Sequence, residues 1–310
     1  ALVASGASAM LWPIMESYLS AGRHGHALRR AIGIFNLTWM SAVGFALLLM
    51  APAMAAGQAT LGLLFFIPIS GISLLLLPWL PKAPPPHGAP DAPAHLDPTG
   101  PAEPGGVAAL AAQRMPEHRH RPEAERALRD ATRVLLPVGY ILIGALGPAM
   151  PFLLGGLEVE PGWRTPVTAT WMAARLVMVA LLLRFSFWHG RPSALVVGFL
   201  CAAGGFGMIA LAGSLSTMLI GLTLFGAGQA IIYYAALYYA MAVGGAEVHA
   251  GSVFEALIGL GYGVGPIVGL IVGGAERSYV LGVLGISVIL TALAFGKVLA
   301  ARAARRSRAP

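Results

Sequence analysis

Nine apolar runs of about twenty residues follow one another along this 310-residue chain. A helix that crosses the hydrocarbon core of a bilayer needs about 20 such residues, because each residue adds about 1.5 Å of rise. The runs do not alternate between polar and apolar residues, which excludes the strands of a transmembrane barrel. Charged residues make up 11% of the chain, whereas soluble domains carry about 25%. We therefore expect an all-α, polytopic membrane protein. The predicted spans are residues 2–20, 31–52, 58–80, 134–156, 166–183, 193–213, 217–242, 252–274 and 279–300.

A different kind of sequence separates the third and fourth runs. The stretch PKAPPPHGAPDAPAHLDPTGPAEPGG is rich in Pro, Ala and Gly and lacks an apolar period, which predicts a disordered linker. RPEAERALRDATR, further along, predicts a short charged helix that leads into the fourth span. The predicted domains are a partial bundle of three spans (1–81), a linker with its charged helix (82–132), a six-helix bundle (133–301) and a basic tail (302–310).

The net charge of +7 raises nucleic acid as a partner, but the position of the charges argues against it. Lys and Arg lie in alternate loops at helix ends, which is the pattern that sets membrane orientation. We therefore expect a cell-membrane protein (plasma or inner membrane) whose linker and C-terminus are cytoplasmic, with lipid and no nucleic acid as partners. The basic residues of the predicted cytoplasmic side include Arg23, Arg29, Arg30, Lys82, Arg184, Arg191, Arg302, Arg305, Arg306 and Arg308.

The chain begins with Ala1 rather than Met and is apolar from the start. Nine spans would place this N-terminus outside the cell without a visible signal peptide, so we expect about three further helices upstream. Cys201 is the single cysteine, which excludes a disulfide within the chain.

A weak internal repeat joins the two apolar blocks. LWPIMESYL (11–19) followed by GIFNLTWMSAVG (33–44) resembles IYYAALYYA (232–240) followed by SVFEALIGLGYGVG (252–265). Both copies would cross the membrane in the same direction, and parallel repeats are a transporter architecture. The aligned pairs are Trp12 with Tyr233, Tyr18 with Tyr239, Phe35 with Phe254, Asn36 with Glu255 and Gly44 with Gly263.

This arrangement resembles the major facilitator superfamily, in which two six-helix bundles are joined by a long cytoplasmic loop. HGRP (189–192) resembles the family's basic loop motif, and SGASAMLWP (5–13) resembles the Gly-and-Pro pattern of its fourth helix. Two departures count against a typical proton-coupled drug exporter: Leu2 replaces the expected arginine, and SAVGFALLLMAP lacks the family's Gly-Pro motif. The resemblance implies a secondary transporter that works by alternating access and lacks its first three helices.

Arg175 is the only charged residue between Thr165 and Leu183. An arginine at the centre of a membrane helix costs about 2.5–3.5 kcal/mol on insertion scales. It lies about 13 Å from Arg184 along the helix axis, too far to reach the surface easily. Two interpretations follow: it binds an anionic or zwitterionic substrate in a transport cavity, or it is a structural arginine held by carbonyl groups or a neighbouring helix.

Two acidic residues and one amide are candidates for coupling or gating. Glu255 lies about one turn inside its span, where it is either a protonatable gate or a carboxylate stabilised by the helix dipole. Asn36 is its partner in the repeat. Glu16 is expected at a boundary, within reach of arginines. A proton or sodium ion is the expected coupling ion.

Aromatic residues complete the predicted binding site. Tyr234 and Tyr238 share a helix face, and Tyr234 lies deeper in its span than Tyr239. Tyr140 and Trp171 are further candidates because they also occupy apolar helices. The resemblance to the major facilitator superfamily slightly supports Tyr234 and Tyr238 as binding residues, because it implies that the helix that carries them lines the central cavity.

Other motifs carry less information. The glycines of 261–273 recur every four residues and predict a close-packing ridge rather than a nucleotide loop. We find no HExxH, GxSxG or P-loop, and expect neither an enzyme, a cofactor nor a metal site.

The predicted function is secondary transport of a small solute. A membrane sensor and an intramembrane enzyme are the alternatives, but the linker is too Pro-rich for a sensor domain and the ionisable groups are sparse for an enzyme.

Overall fold

The computed structural model describes most of both apolar blocks of the chain. About two thirds of the third predicted span and all but one residue of the ninth fall outside the described residues, as do residues 82–121 of the predicted linker and the tail 302–310. The described residues are 2–23, 25–55, 64, 68, 71–72, 75, 77–79, 122–243, 248–273 and 296.

The described part of the chain forms seven α-helices and one short 3-10 helix, Leu77–Trp79, with no strand among these residues. We refer to α1 and α2 as the first block and to α3 to α7 as the second block. The helices are α1 (Leu2–Ser20), α2 (Gly25–Ala55), α3 (Pro122–Gly156), α4 (Pro161–Arg184), α5 (Pro192–Ala210), α6 (Leu215–Val243) and α7 (Val248–Gly273).

The all-helical prediction is confirmed for these residues. Five helices, α3 to α7, are long and apolar enough to cross a membrane. They correspond to the fourth to eighth predicted spans, and α1 and α2 correspond to the first two. The count of nine spans extends into residues that the structure does not describe.

Four predicted spans begin at least four residues later than the helices that contain them, since α2, α3, α4 and α7 begin at Gly25, Pro122, Pro161 and Val248. The charged segment before the fourth span is helical, as predicted, and it continues into that span because α3 runs unbroken from Pro122 to Gly156. Its Ala, Glu and Arg residues favour a helix, and no Gly or Pro separates them from the apolar part. The fifth predicted span starts five residues too late, because α4 begins at Pro161, where a proline at the first helical position suits the helix geometry.

Helix α6 is the centre of the structure, since it packs against each of the other six described helices. Its sequence is apolar on all sides, with alternating Gly, Ala and large residues, which is typical of a helix enclosed by others. Leu222, Phe225 and Tyr234 on α6 are fully buried. Helix α6 therefore contacts both blocks, which also meet where α2 packs against α4 and where α1 packs against α7.

The predicted glycine ridge on α7 packs against α3. A Cβ added at Gly265 would lie 2.7 Å from the Cα of Gly144, so only glycine permits this approach. Cβ atoms at Gly261 and Gly269 would also overlap with α3, whereas one at Gly263, on another face of α7, would meet no described atom within 4 Å. The ridge therefore sets the distance between α3 and α7.

The packing of the two blocks follows the internal repeat. Helix α1 packs against α7 and α2 against α6, while α1 also packs against α2 and α6 against α7. This set of contacts is unchanged when α1 is exchanged with α6 and α2 with α7. The aromatic contacts match as well: the ring centroids of Trp12 and Phe35 are 5.7 Å apart, and those of Tyr233 and Phe254 are 5.5 Å apart.

We predict that Gly265→Ala destabilises the protein by about 1–3 kcal/mol, because an added methyl group must push α3 and α7 apart. Gly263→Ala is the matched control and should leave stability within about 0.5 kcal/mol. Thermal unfolding of the purified proteins in detergent measures both. Equal melting temperatures for the two variants would contradict the ridge.

Candidate functional site

The Arg175 guanidinium lies in the interior of the bundle, where α4 faces α2, α3 and α6. The residue is 1% exposed, although it is a charged side chain on an apolar helix. Nine residues separate it from Arg184, the last residue of α4, so it lies about 13 Å from that helix end. Arg175 therefore faces other helices of the bundle rather than its surface.

Three aromatic side chains surround this guanidinium, and they come from three different helices. Its central carbon lies 4.7 Å from the ring centroid of Tyr233 on α6 and 5.7 Å from the ring of Trp39 on α2. Its Nη2 donates a long hydrogen bond of 3.4 Å to the hydroxyl of Tyr140 on α3. We call Arg175, Trp39, Tyr140 and Tyr233 the arginine box.

The charge of the box is not neutralised by a carboxylate. Arg175 forms no salt bridge with any residue that the structure describes. A desolvated cation–π contact contributes about 2 kcal/mol, so two of them are comparable with the cost of about 2.5–3.5 kcal/mol for burying an arginine in a membrane. The rings of Trp39 and Tyr233 thus stabilise the cation through their faces and accept none of its hydrogen bonds.

The described residues use one hydrogen-bond donor of Arg175 and leave a second, Nε, without an acceptor. A guanidinium has five N–H groups, and the described residues provide one hydrogen bond, from Nη2 to Tyr140. The Nε atom is buried and has no acceptor among them. A buried unsatisfied donor costs about 1–3 kcal/mol, more for a charged group. The box is therefore suited to receive an anion whose oxygen atoms accept these hydrogen bonds.

Asn36 orients one wall of the box. Its Oδ1 accepts a hydrogen bond of 2.8 Å from the indole Nε1 of Trp39, and its Nδ2 donates to the carbonyl of Ile32 at 2.8 Å. The amide is fully buried and both bonds lie within α2. The structure thus gives Asn36 a positioning contact, and its coupling role stays a prediction.

Sequence reasoning missed Tyr233 and Trp39 as site residues, although their rings make the cation–π contacts with Arg175. A signal for Tyr233 exists: Gln229 lies one turn earlier on α6, so the two define a polar face on an otherwise apolar helix. The Gln229 amide donates to the carbonyl of Gly139 at 2.8 Å, which ties α6 to α3 next to Tyr140. Trp39 could have been found from its spacing of three residues from Asn36.

The predicted site residues Tyr234 and Tyr238 do not join the box. They pack instead around Trp188 in the loop after α4, with ring centroids 5.2 and 5.4 Å from it. The Tyr234 hydroxyl donates to the carbonyl of Arg29 at 2.6 Å, which fastens α6 to the start of α2. The structure therefore gives these tyrosines no contact with Arg175, whose contact on α6 is Tyr233, and their substrate-binding role stays a prediction.

Trp171 lies one turn from Arg175 on α4, toward the opposite helix end. Its ring packs edge-on against Phe225, with centroids 6.0 Å apart. Its backbone carbonyl is in contact with Gly226 of α6, where a side chain would not fit. Trp171 is thus half-buried at the α4–α6 interface, and no described contact joins it to the guanidinium.

Glu16 and Glu255 come together where α1 packs against α7. The Glu16 side chain is fully buried and Glu255 is partly buried. Their carboxyl groups interact electrostatically, and the Glu16 carboxylate lies against Gly251 of α7, one turn before Glu255. The expected pairing of Glu16 with an arginine is not found among the described residues, because this face of α1 turns into the bundle toward α7.

No protein-family model, no curated protein and no solved structure is significantly similar to this chain. Among the described residues, no three His, Cys, Asp or Glu side chains lie together as a metal site would require. Inferences about function therefore depend on the geometry of the arginine box and the glutamate pair.

We predict that Tyr234→Phe lowers the free energy of unfolding by about 1 kcal/mol, because it removes the hydrogen bond to the Arg29 carbonyl. Tyr238→Phe keeps its ring contacts and loses no hydrogen bond to a described residue, so its effect should be smaller. Thermal unfolding of both variants and the wild type checks this. A larger effect for Tyr238→Phe would contradict the assigned contacts.

Proposed function

We propose that this protein is a secondary active transporter that moves a small anionic or zwitterionic solute by alternating access. The unused N–H donors of the buried Arg175 guanidinium are the observation that supports the proposal most directly. A carboxylate or phosphate accepts such donors in pairs, because the planar guanidinium matches its geometry. Water and substrate would satisfy these donors in turn during a transport cycle.

The position of the arginine box supports movement between the two blocks. Arg175 belongs to the second block, whereas Trp39 belongs to the first, so the box lies on the boundary. At 1% exposure the guanidinium is closed to solvent, and a solute can reach it only if the blocks separate. Binding at a boundary that opens by rocking is the general design of transporters built from repeats.

The resemblance to the major facilitator superfamily supports the same proposal. The contacts between helices are unchanged when the repeated pairs are exchanged, which is the relation expected between two parallel halves of such a transporter. We propose nine spans in this chain, a cytoplasmic linker and tail, and a cell-membrane location. The solute and a coupling ion are the proposed partners, and no catalytic activity is proposed.

Benzoate and benzamide provide a matched test of anion binding, since they share a ring and differ in charge. We predict that benzoate raises the melting temperature of the purified protein and benzamide does not. Arg175→Lys keeps the positive charge but loses the paired N–H donors of the planar guanidinium. It should weaken benzoate binding on the order of tenfold, or about 1.4 kcal/mol. Arg175→Gln should abolish the response.

Arg164→Gln is the control, because Arg164 lies on the same helix and donates to the carbonyl of Val159 near the helix start. It should respond to benzoate as the wild type does. Benzoate stabilisation that persists in Arg175→Gln would contradict the proposal. A loss of folding in Arg175→Gln and Arg175→Lys alike would instead indicate a structural arginine.

Uptake into proteoliposomes separates transport from binding alone. We predict that radiolabelled benzoate accumulates in vesicles that contain the wild type and not in vesicles that contain Arg175→Gln. Inorganic phosphate, supplied as a second labelled probe, tests whether the box prefers another class of anion. Binding without uptake of either probe would favour the membrane-sensor alternative.

A further inference from the structure

Glu16 and Glu255 are the only acidic side chains that the described residues bring into contact with each other inside the bundle. They come from different blocks: Glu16 lies one turn before the end of α1, and Glu255 lies two turns after the start of α7. A pair of acidic groups at this interface needs a physical explanation, because like charges at close range repel.

The surroundings of Glu16 supply no compensating donor. Both carboxylate oxygens are buried and receive no hydrogen bond from an N–H or O–H group of the described residues. Neither glutamate forms a salt bridge there. Transferring an unpaired carboxylate from water to such a site is so costly that it takes up a proton instead. The Glu255 carboxyl, one turn from the Gly251 backbone that meets Glu16, is the group that can share this proton.

The close approach of the two helices is built into α7. Gly251 lies one turn before Glu255 on the same helix face, and a Cβ there would lie 3.0 Å from Oε2 of Glu16. It would also lie 3.1 Å from the Cα of Pro13 on α1. The absence of a side chain at Gly251 therefore allows the two carboxyl groups to meet.

The other titratable groups near the pair are tyrosines rather than cations. Tyr233 of α6 faces both glutamates, and Tyr140 of α3 and Tyr262 of α7 face Glu255. Arg175 lies beyond these rings and forms no salt bridge with either glutamate. On α2, Arg29 approaches Tyr234 and Tyr238 instead. No described cation thus replaces the proton between the carboxyl groups.

We infer that Glu16 and Glu255 form a proton-binding site in which one carboxyl group donates a hydrogen bond to the other carboxylate across the α1–α7 interface. Binding consists of the addition of one proton to a carboxylate oxygen, with no other bond made or broken. The protonated pair holds the first block against the second. Loss of the proton leaves two facing negative charges and separates α1 from α7.

Charge balance connects this site to the arginine box. With one shared proton the pair carries one negative charge, which balances the single positive charge of Arg175. An anion bound at Arg175 would disturb this balance, and a second proton on the pair would restore it. This step rests on the proposed function and makes the proton the coupling ion, with anion and proton bound together.

Infrared spectroscopy of the purified protein in liposomes tests the pair without any substrate. The expected result is the carbonyl stretching band of a buried, protonated carboxylic acid at neutral pH. Glu16→Gln/Glu255→Gln should abolish the band, because glutamine resembles the protonated acid in shape but carries no titratable group. Glu158→Gln, on the exposed turn after α3, is the control and should leave the band unchanged.

The single variant Glu255→Gln separates a shared proton from simple burial of Glu16. Sharing predicts that the band shifts or disappears when its partner is replaced. An unchanged band in Glu255→Gln, or no band in the wild type, would overturn the inference whether or not the protein transports anything.

Separation of the blocks is measured with spin labels on Met15 of α1 and Ser252 of α7, both exposed, in a Cys201→Ala background. The distance between the labels should increase from acid to alkaline pH in the wild-type background. The Glu16→Gln/Glu255→Gln background should show no such change. An equal increase in both backgrounds would show that the pair does not control this interface.

Coupling is tested by adding benzoate to the detergent-solubilised protein in weakly buffered solution and following pH. The wild type should take up protons as benzoate binds, whereas Glu16→Gln/Glu255→Gln should bind benzoate without uptake. Benzoate binding with no proton uptake by the wild type would refute the coupling. Failure of benzoate to bind would count against the proposed function, while the infrared result would still decide the proton site.

Discussion

The burial of the Arg175 guanidinium among the aromatic rings of neighbouring helices is the constraint on which the rest of the site depends. A cation at this depth requires compensation, and Trp39, Tyr140 and Tyr233 supply it from three helices of both blocks. Their electron-rich faces stabilise the charge but accept few hydrogen bonds. The protein thus keeps a buried cation whose Nε donor has no acceptor among the described residues, and this is the feature on which the proposed anion site rests.

The packing of the neighbouring helices brings these side chains to the arginine box. Helix α6 brings Tyr233 to the guanidinium and Gln229 to α3, and it can do so because its other faces are apolar and enclosed. Glycines at the α3–α7 interface let these helices approach closely, while Gly251 lets α7 reach Glu16. A single positive charge and a proton-sharing acidic pair would together keep the interior neutral.

The sequence predicts the helices well because runs of about twenty apolar residues leave little choice in a membrane. It also identifies Arg175, Glu16 and Glu255, since an isolated charge in an apolar run is visible without a structure. It does not identify which tyrosines face the arginine. Tyr233 and Tyr234 are adjacent, and a rotation of about 100° per residue decides between the box and the cluster around Trp188. That rotation is set by packing of α6 against six neighbours, which no local pattern encodes.

A crystal structure of the protein soaked with para-iodobenzoate tests the central claim most directly, because anomalous scattering from iodine locates the ligand independently of the refined side chains. We expect a carboxylate within hydrogen-bonding distance of the Arg175 Nε and Nη2 atoms, with the aromatic ring among Trp39, Tyr140 and Tyr233. Iodine sites confined to the surface, with the guanidinium enclosed as before at a saturating ligand concentration, would contradict it.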